Sequence, residues 1–163
     1  NREENTFGVN IVRQDMLPTL KNNTEPGDTV ASRARWARIQ KDLYIVDAAR
    51  ESGLTTATIS KIENGKPAEL MTIRKLASLY NVPIWWLGCF ENLPEGTFAQ
   101  RVYKTRIYHG MLWAEFALLI GVEMRTIEKW EKGRTMPKPK NMAKLLQPLD
   151  ILKIKKAPAE ART

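Results

Sequence analysis

A reaction centre needs nucleophiles, bases or metal ligands in groups, and this 163-residue chain offers them singly. His109 is its one histidine and Cys89 its one cysteine. An intramolecular disulfide, a cysteine zinc site and a histidine metal cluster are thereby excluded, and neither metal nor cofactor is expected. Gly65-Lys66 imitates the end of a phosphate-binding loop, but the earlier glycine and the strand before it are missing. No constellation of paired carboxylates is spaced for acid–base work, so the expectation is a binding protein and not an enzyme. What is chemically distinctive is positive charge. Lys and Arg number 26 against 18 Asp and Glu, a net charge of +8, with a pI near 9.7. Such a balance favours a polyanionic partner, either nucleic acid or an acidic membrane surface. The excess is uneven: residues 1–30 carry net −2, residues 31–92 net +3 and residues 97–156 net +8.

The elements that must present these charges come in two copies. Displacing the chain by 68 residues lays 38–65 on 106–133 without a gap. Arg38/Arg106, Ile39/Ile107, Ala49/Ala117, Gly53/Gly121, Thr58/Thr126, Ile59/Ile127, Lys61/Lys129, Glu63/Glu131 and Gly65/Gly133 then coincide, and Asp47/Glu115 keep their type. Each copy has the same helical grammar. In the first, apolar spacing at Ala34, Ala37 and Ile39 predicts a helix over 30–43, capped by Thr29 or Ser32. A short helix over 46–52 should stop at Gly53, which is free to take positive φ. Thr55 can cap the next, through Glu63, with Ile59 and Ile62 as its buried stripe. Gly65 and Pro67 end it, and helices over 71–80 and 83–87 follow. The second copy predicts Thr97 as a cap, a helix from there to about 109, helices over 113–120 and 124–132, another opened by Pro139, and a last turn started by Pro148. Asn92 to Glu95, with Pro94 and Gly96, reads as the linker. The predicted architecture is all-α: an unassigned arm at 1–30, domains at 31–92 and 97–152, and a basic frayed tail at 153–163. Within the arm, 7–12 fits a strand or an extended segment equally well.

The segment Gly53-Leu-Thr-Thr-Ala-Thr-Ile-Ser-Lys-Ile-Glu-Asn-Gly-Lys-Pro67 resembles the recognition unit of phage repressors, the Cro/cI-type (XRE) helix-turn-helix family. Leu76-Ala-Ser-Leu-Tyr-Asn-Val-Pro-Ile-Trp-Trp-Leu87 resembles that family's fourth and fifth helices. Phe116-Ala-Leu-Leu-Ile-Gly-Val-Glu-Met-Arg-Thr-Ile-Glu-Lys-Trp-Glu-Lys-Gly-Arg134 is similar to the branch containing Hig-type antitoxins. A glycine at the turn lets two helices cross steeply, so that the second presents an exposed edge to a DNA groove. The resemblance implies base contacts from Thr56, Ala57 and Lys61 in the first copy and from Met124, Arg125 and Lys129 in the second. It implies phosphate contacts from Asn64, Lys66, Lys132 and Arg134. Arg125 is the strongest candidate for a base contact, because arginine pairs bidentately with guanine. The alternative for each cation is a solvated helix face. The resemblance further implies two structural ion pairs, Arg38 with Glu63 and Arg106 with Glu131.

Two departures stand out. Where the family has Ser or Thr followed by a phosphate-bracing Gln, this chain has Tyr44-Ile45 and Leu112-Trp113. Glu123 replaces the usual small N-cap of the second recognition helix, where it suits the helix dipole but repels phosphate. The function implied is a sequence-specific regulator of transcription, a repressor of double-stranded DNA targets. The alternative is an adaptor or antitoxin-like protein with one DNA-binding and one protein-binding copy. A second copy of the chain or another protein is thus a further candidate partner. Trp85, Trp86, Trp113 and Trp130 suit cores or an interface better than base stacking, since single-strand recognition favours aromatics on a sheet. No apolar run matches a signal peptide or a membrane span, the longest being 116–122, so a soluble cytoplasmic protein is expected.

Overall fold

The computed structural model describes residues 26–154, with side chains to Leu149. The 7–12 segment and the tail beyond Ile154 lie outside the described residues. All regular structure among the described residues is helical, as the sequence predicts, and no helix there is long and apolar enough to cross a membrane. The chain divides into two compact units between Cys89 and Phe90.

In the first unit α1 (Val30–Gln40) begins at Thr29, whose hydroxyl accepts from the Ser32 N–H while the Ser32 hydroxyl accepts from the Thr29 N–H. Thr29 is therefore the cap, and Ser32 completes the reciprocal box. The helix ends at Gln40 and not at residue 43. Asp42 takes φ +54, its N–H bonds Ile39 O, and the Leu43 N–H returns to Arg38 O. That is a Schellman ending, in which aspartate does the work usually left to glycine. Next come α2 (Ile45–Ser52), α3 (Thr56–Glu63), α4 (Leu70–Tyr80) and a single turn, α5 (Ile84–Leu87). Asn81 in the left-handed conformation breaks α4 from α5. The core gathers Ala34, Ala37, Ile39, Ala48, Ile59, Ile62, Ile73, Leu76, Tyr80 and Leu87. Trp86 packs edge-on to Trp36, and the Arg33 guanidinium lies over Trp86 and donates to its carbonyl at 2.6 Å.

The second unit repeats the first three helices residue for residue at the 68-residue offset: α6 (Phe98–Tyr108), α7 (Trp113–Ile120) and α8 (Met124–Glu131). Thr97 and Gln100 form its opening box, and Gly110, the counterpart of Asp42, its first Schellman turn. A 3₁₀ turn, Phe90–Asn92, precedes α6. Buried Lys104 ties that approach down, its Nζ donating to Glu91 O at 2.8 Å and pairing with Glu95 at 3.1 Å. The copies diverge after α8. One helix, α9 (Pro139–Ile154), runs through Pro148, which does not start a separate turn as the sequence suggested. Leu149 stands where the first copy has left-handed Asn81, and leucine resists positive φ, so nothing interrupts the helix. The core here is Val102, Phe116, Ala117, Ile120, Ile127, Trp130 and Leu145.

Tyr80 leaves one buried group unsatisfied. Its hydroxyl has no hydrogen-bond partner among the described residues, and burial, followed by the Glu63 charge, pushes the phenol well above its ordinary pKa. A buried hydroxyl without a partner is costly, and removing it leaves shape intact. Tyr80→Phe is expected to leave stability unchanged or raise it by about 1 kcal/mol in urea unfolding. A loss of that size would mean that the hydroxyl is satisfied.

Candidate nucleic-acid interface

The site begins with a turn. Gly53 ends α2 at φ +73 and Gly121 ends α7 at φ +76, so each copy reverses direction where a side chain would be strained. At Gly53 a Cβ would meet no atom within 4 Å, so backbone conformation alone sets the requirement there. Thr55 then caps α3, its hydroxyl accepting from the Thr58 N–H at 3.1 Å. Glu123 occupies the same place before α8 and makes no side-chain cap bond.

Each recognition helix is held by its inner face. Ile59 and Ile62 are buried in α3, Ile127 and Trp130 in α8. Opposite them, Thr56, Ala57 and Lys61 face solvent, as do Met124, Arg125 and Lys129. Asn64 and Lys66, with Lys132 and Arg134, are exposed at and beyond the helix ends. There the Lys66 N–H bonds Lys61 O and the Arg134 N–H bonds Lys129 O, closing both helices identically. Every candidate contact residue is therefore accessible, and each set lies along one helix edge and the loop after it. Lys132 is exposed but engaged: its Nζ bonds the Glu128 carboxylate one turn back. That bond, followed by the charges of Lys132, Arg134 and Arg125, holds Glu128 below the usual carboxylate range.

The four structural residues come together as two pairs. Arg38 Nε donates to Glu63 Oε1 at 2.6 Å and Nη2 to Oε2 at 2.8 Å, while Nη1 donates to Leu43 O at 2.8 Å. Arg106 repeats this with Glu131 at 2.6 and 3.0 Å, and with Met111 O at 3.0 Å. Both pairs are buried, Glu63 at 8% exposure and Glu131 at 6%. Around Arg38 burial opposes the charge, and the hydrogen bond and charge of Glu63 overcome it, so the guanidinium pKa rises. Each pair joins the first helix of its copy to the last turn of the recognition helix and to the loop after the first helix.

Other residues of the site take roles that the sequence did not assign to them. Tyr44 and Leu112 have no capping hydroxyl placed for their helices; instead Asp47 accepts from the Tyr44 N–H at 3.3 Å and Glu115 from the Leu112 N–H at 2.9 Å. The Asp47/Glu115 repetition was the available signal. Trp113 stands where the family has glutamine, and its Nε1 donates to Glu131 Oε2 at 2.7 Å beneath the Arg106 guanidinium, 5.3 Å from the ring. The tryptophan thus braces the ion pair. The apolar run 116–122 also divides unexpectedly: Phe116, Ala117 and Ile120 are buried, but Leu118 is 84% and Leu119 58% exposed.

Among the described residues no group of His, Cys, Asp and Glu could hold a metal ion. The helix-turn-helix family model HTH_3 matches the chain twice, over residues 35–87 and 102–153, well over half of its length. No curated protein and no solved structure matches it.

Removing either carboxylate strands a buried guanidinium. Glu63→Ala and Glu131→Ala are each expected to destabilise their own unit by about 3–5 kcal/mol in chemical denaturation. Melting of both variants within a degree or so of the parent would show that the pairs are dispensable.

Proposed function

Because the chain belongs to the helix-turn-helix family, and so is a DNA-binding transcription regulator, we propose that it represses transcription by recognising double-stranded DNA through two non-identical helices. The functional domains are residues 31–92 and 97–152, with α3 and α8 as readers. The observation that carries this reading is the repeated exposure of one edge over a buried Ile-rich stripe. Thr56, Ala57 and Lys61 occupy that edge in one copy, Met124, Arg125 and Lys129 in the other. Those edges touch bases in a major groove in this reading. Asn64, Lys66, Lys132 and Arg134 then meet phosphates, which fix register without carrying sequence information. Repression needs only occupancy of the site.

Unlike readers fit unlike half-sites, so the favoured duplex is asymmetric. Two engaged copies neutralise on the order of 6–10 phosphates, giving a slope of log affinity against log salt near −5 to −9.

A second reading, closer to the Hig-type antitoxins, is favoured by α7. Its exposed Leu118 and Leu119 replace the charged Arg50 and Glu51 of the first copy. In that reading the second copy binds a protein, since an apolar surface of this kind suits a protein partner more than a phosphate backbone.

Selection of preferred duplexes from a random pool, followed by titration with point variants of the full chain, separates the two. Arg125→Ala is expected to lose about 1–3 kcal/mol on the preferred site and to relax preference at one base pair. Lys66→Ala and Arg134→Ala are expected to weaken all duplexes alike. Loss of affinity on Lys66→Ala but on neither second-copy variant would favour the antitoxin-like reading.

A further inference from the structure

Resting on the reading that α8 faces a major groove, we infer that Glu128 determines specificity in the second copy, its carboxylate accepting from a cytosine amino group beside the base read by Arg125. The outer edge of α8 runs through Met124, Arg125, Glu128, Lys129 and Lys132, positions that a helix brings to one side. The corresponding edge of α3 is Thr56, Ala57, Ser60, Lys61 and Asn64. In the first copy the places of Glu128 and Lys132 are held by neutral residues: the Asn64 amide donates to Ser60 O at 2.8 Å and to its hydroxyl at 3.4 Å. In the second, the same two places hold a carboxylate and an ammonium bonded to each other.

Helix stability does not account for this exchange. An exposed Glu–Lys pair one turn apart contributes little, and here Lys132 is 46% and Glu128 33% exposed. Against phosphate a carboxylate is a liability, and this one sits within the charges of Lys132, Arg134 and Arg125. The major groove, however, offers a carboxylate one well-matched partner. Cytosine presents an N4 amino donor, guanine presents only acceptors, thymine an acceptor and a methyl group, and adenine's amino donor lies beside the N7 acceptor. The Lys132 bond shields the ionised carboxylate in the free protein. When Lys132 turns to a phosphate, Glu128 is released toward the bases. A wrong base then leaves the carboxylate unpaired among acceptors, so the same residue rewards cytosine and penalises non-specific engagement.

The test uses the full chain and duplexes selected from a random pool by the parent, Glu128→Ser, Glu128→Gln and Arg125→Ala, with thermal melts confirming that each variant is folded. The parent is expected to enrich a cytosine adjacent to the position that Arg125→Ala relaxes. Glu128→Ser and Glu128→Gln are expected to lose that enrichment by about tenfold. Glu128→Ser should also bind random-sequence duplex several-fold more tightly at low salt. Retention of the cytosine preference by Glu128→Ser, or unchanged affinity for random duplex, overturns the inference while leaving α8 a DNA reader. If Arg125→Ala alters no position either, α8 does not read DNA, and both the inference and the two-reader proposal fall.

Discussion

A guanidinium taken out of water inside a small helical bundle has to be met by a carboxylate in good geometry, and the rest of each unit is arranged around that demand. Arg38 and Arg106 reach from the first helix to the far end of the recognition helix, where Glu63 and Glu131 receive them through two parallel bonds. The third nitrogen takes a carbonyl from the loop that follows the first helix, Leu43 O or Met111 O. Three chain segments are thereby fixed by one side chain. Buried Ile59 and Ile127 supply apolar adhesion without direction, whereas the planar fork specifies direction. The angle at which α3 or α8 offers its outer edge depends on this contact.

From that constraint the local sequence choices follow. The left-handed residues Asp42 and Gly110 turn the chain so that the accepting carbonyl points back at the arginine, and Gly53 and Gly121 start the recognition helix on its course. Asp47 and Glu115, at the third helical position, steady the entry to α2 and α7 by accepting from the N–H of the residue before each helix. In the second copy Trp113, the first residue of α7, adds a third donor to Glu131. With the scaffold held this way, the outer edges tolerate divergence. Ser60 and Asn64 in one copy, Glu128 and Lys132 in the other, change the chemistry of the exposed edge and leave the buried pair untouched.

Much of this was legible in the sequence because it rests on periodicity and on residues with few conformational alternatives. The 68-residue repeat, the caps Thr55 and Thr97, the glycine stops and the buried Ile59, Ile62 and Ile127 all follow from spacing. What escaped was set by tertiary context. Aspartate at residue 42 can continue a helix or end it, and the Arg38 carbonyl decides the matter. Pro148 reads as a helix start, yet what breaks the first copy at the equivalent point is Asn81, and the second copy has leucine there. Trp113 and Trp130 look alike in sequence, but Trp130 fills the core while Trp113 lies at its edge against Glu131. Leu118 and Leu119 continue an apolar run that periodicity alone cannot divide into inside and outside.

In the proposed mode of binding, both α3 and α8 lie against DNA. Amide chemical-shift changes, followed by NMR on the full chain as its selected duplex is added, report on each helix separately. Engagement of both helices predicts large changes in two clusters, across residues 56–66 and 124–134, growing together as duplex is added. Changes confined to one cluster, with the other helix unmoved at saturation, would contradict it.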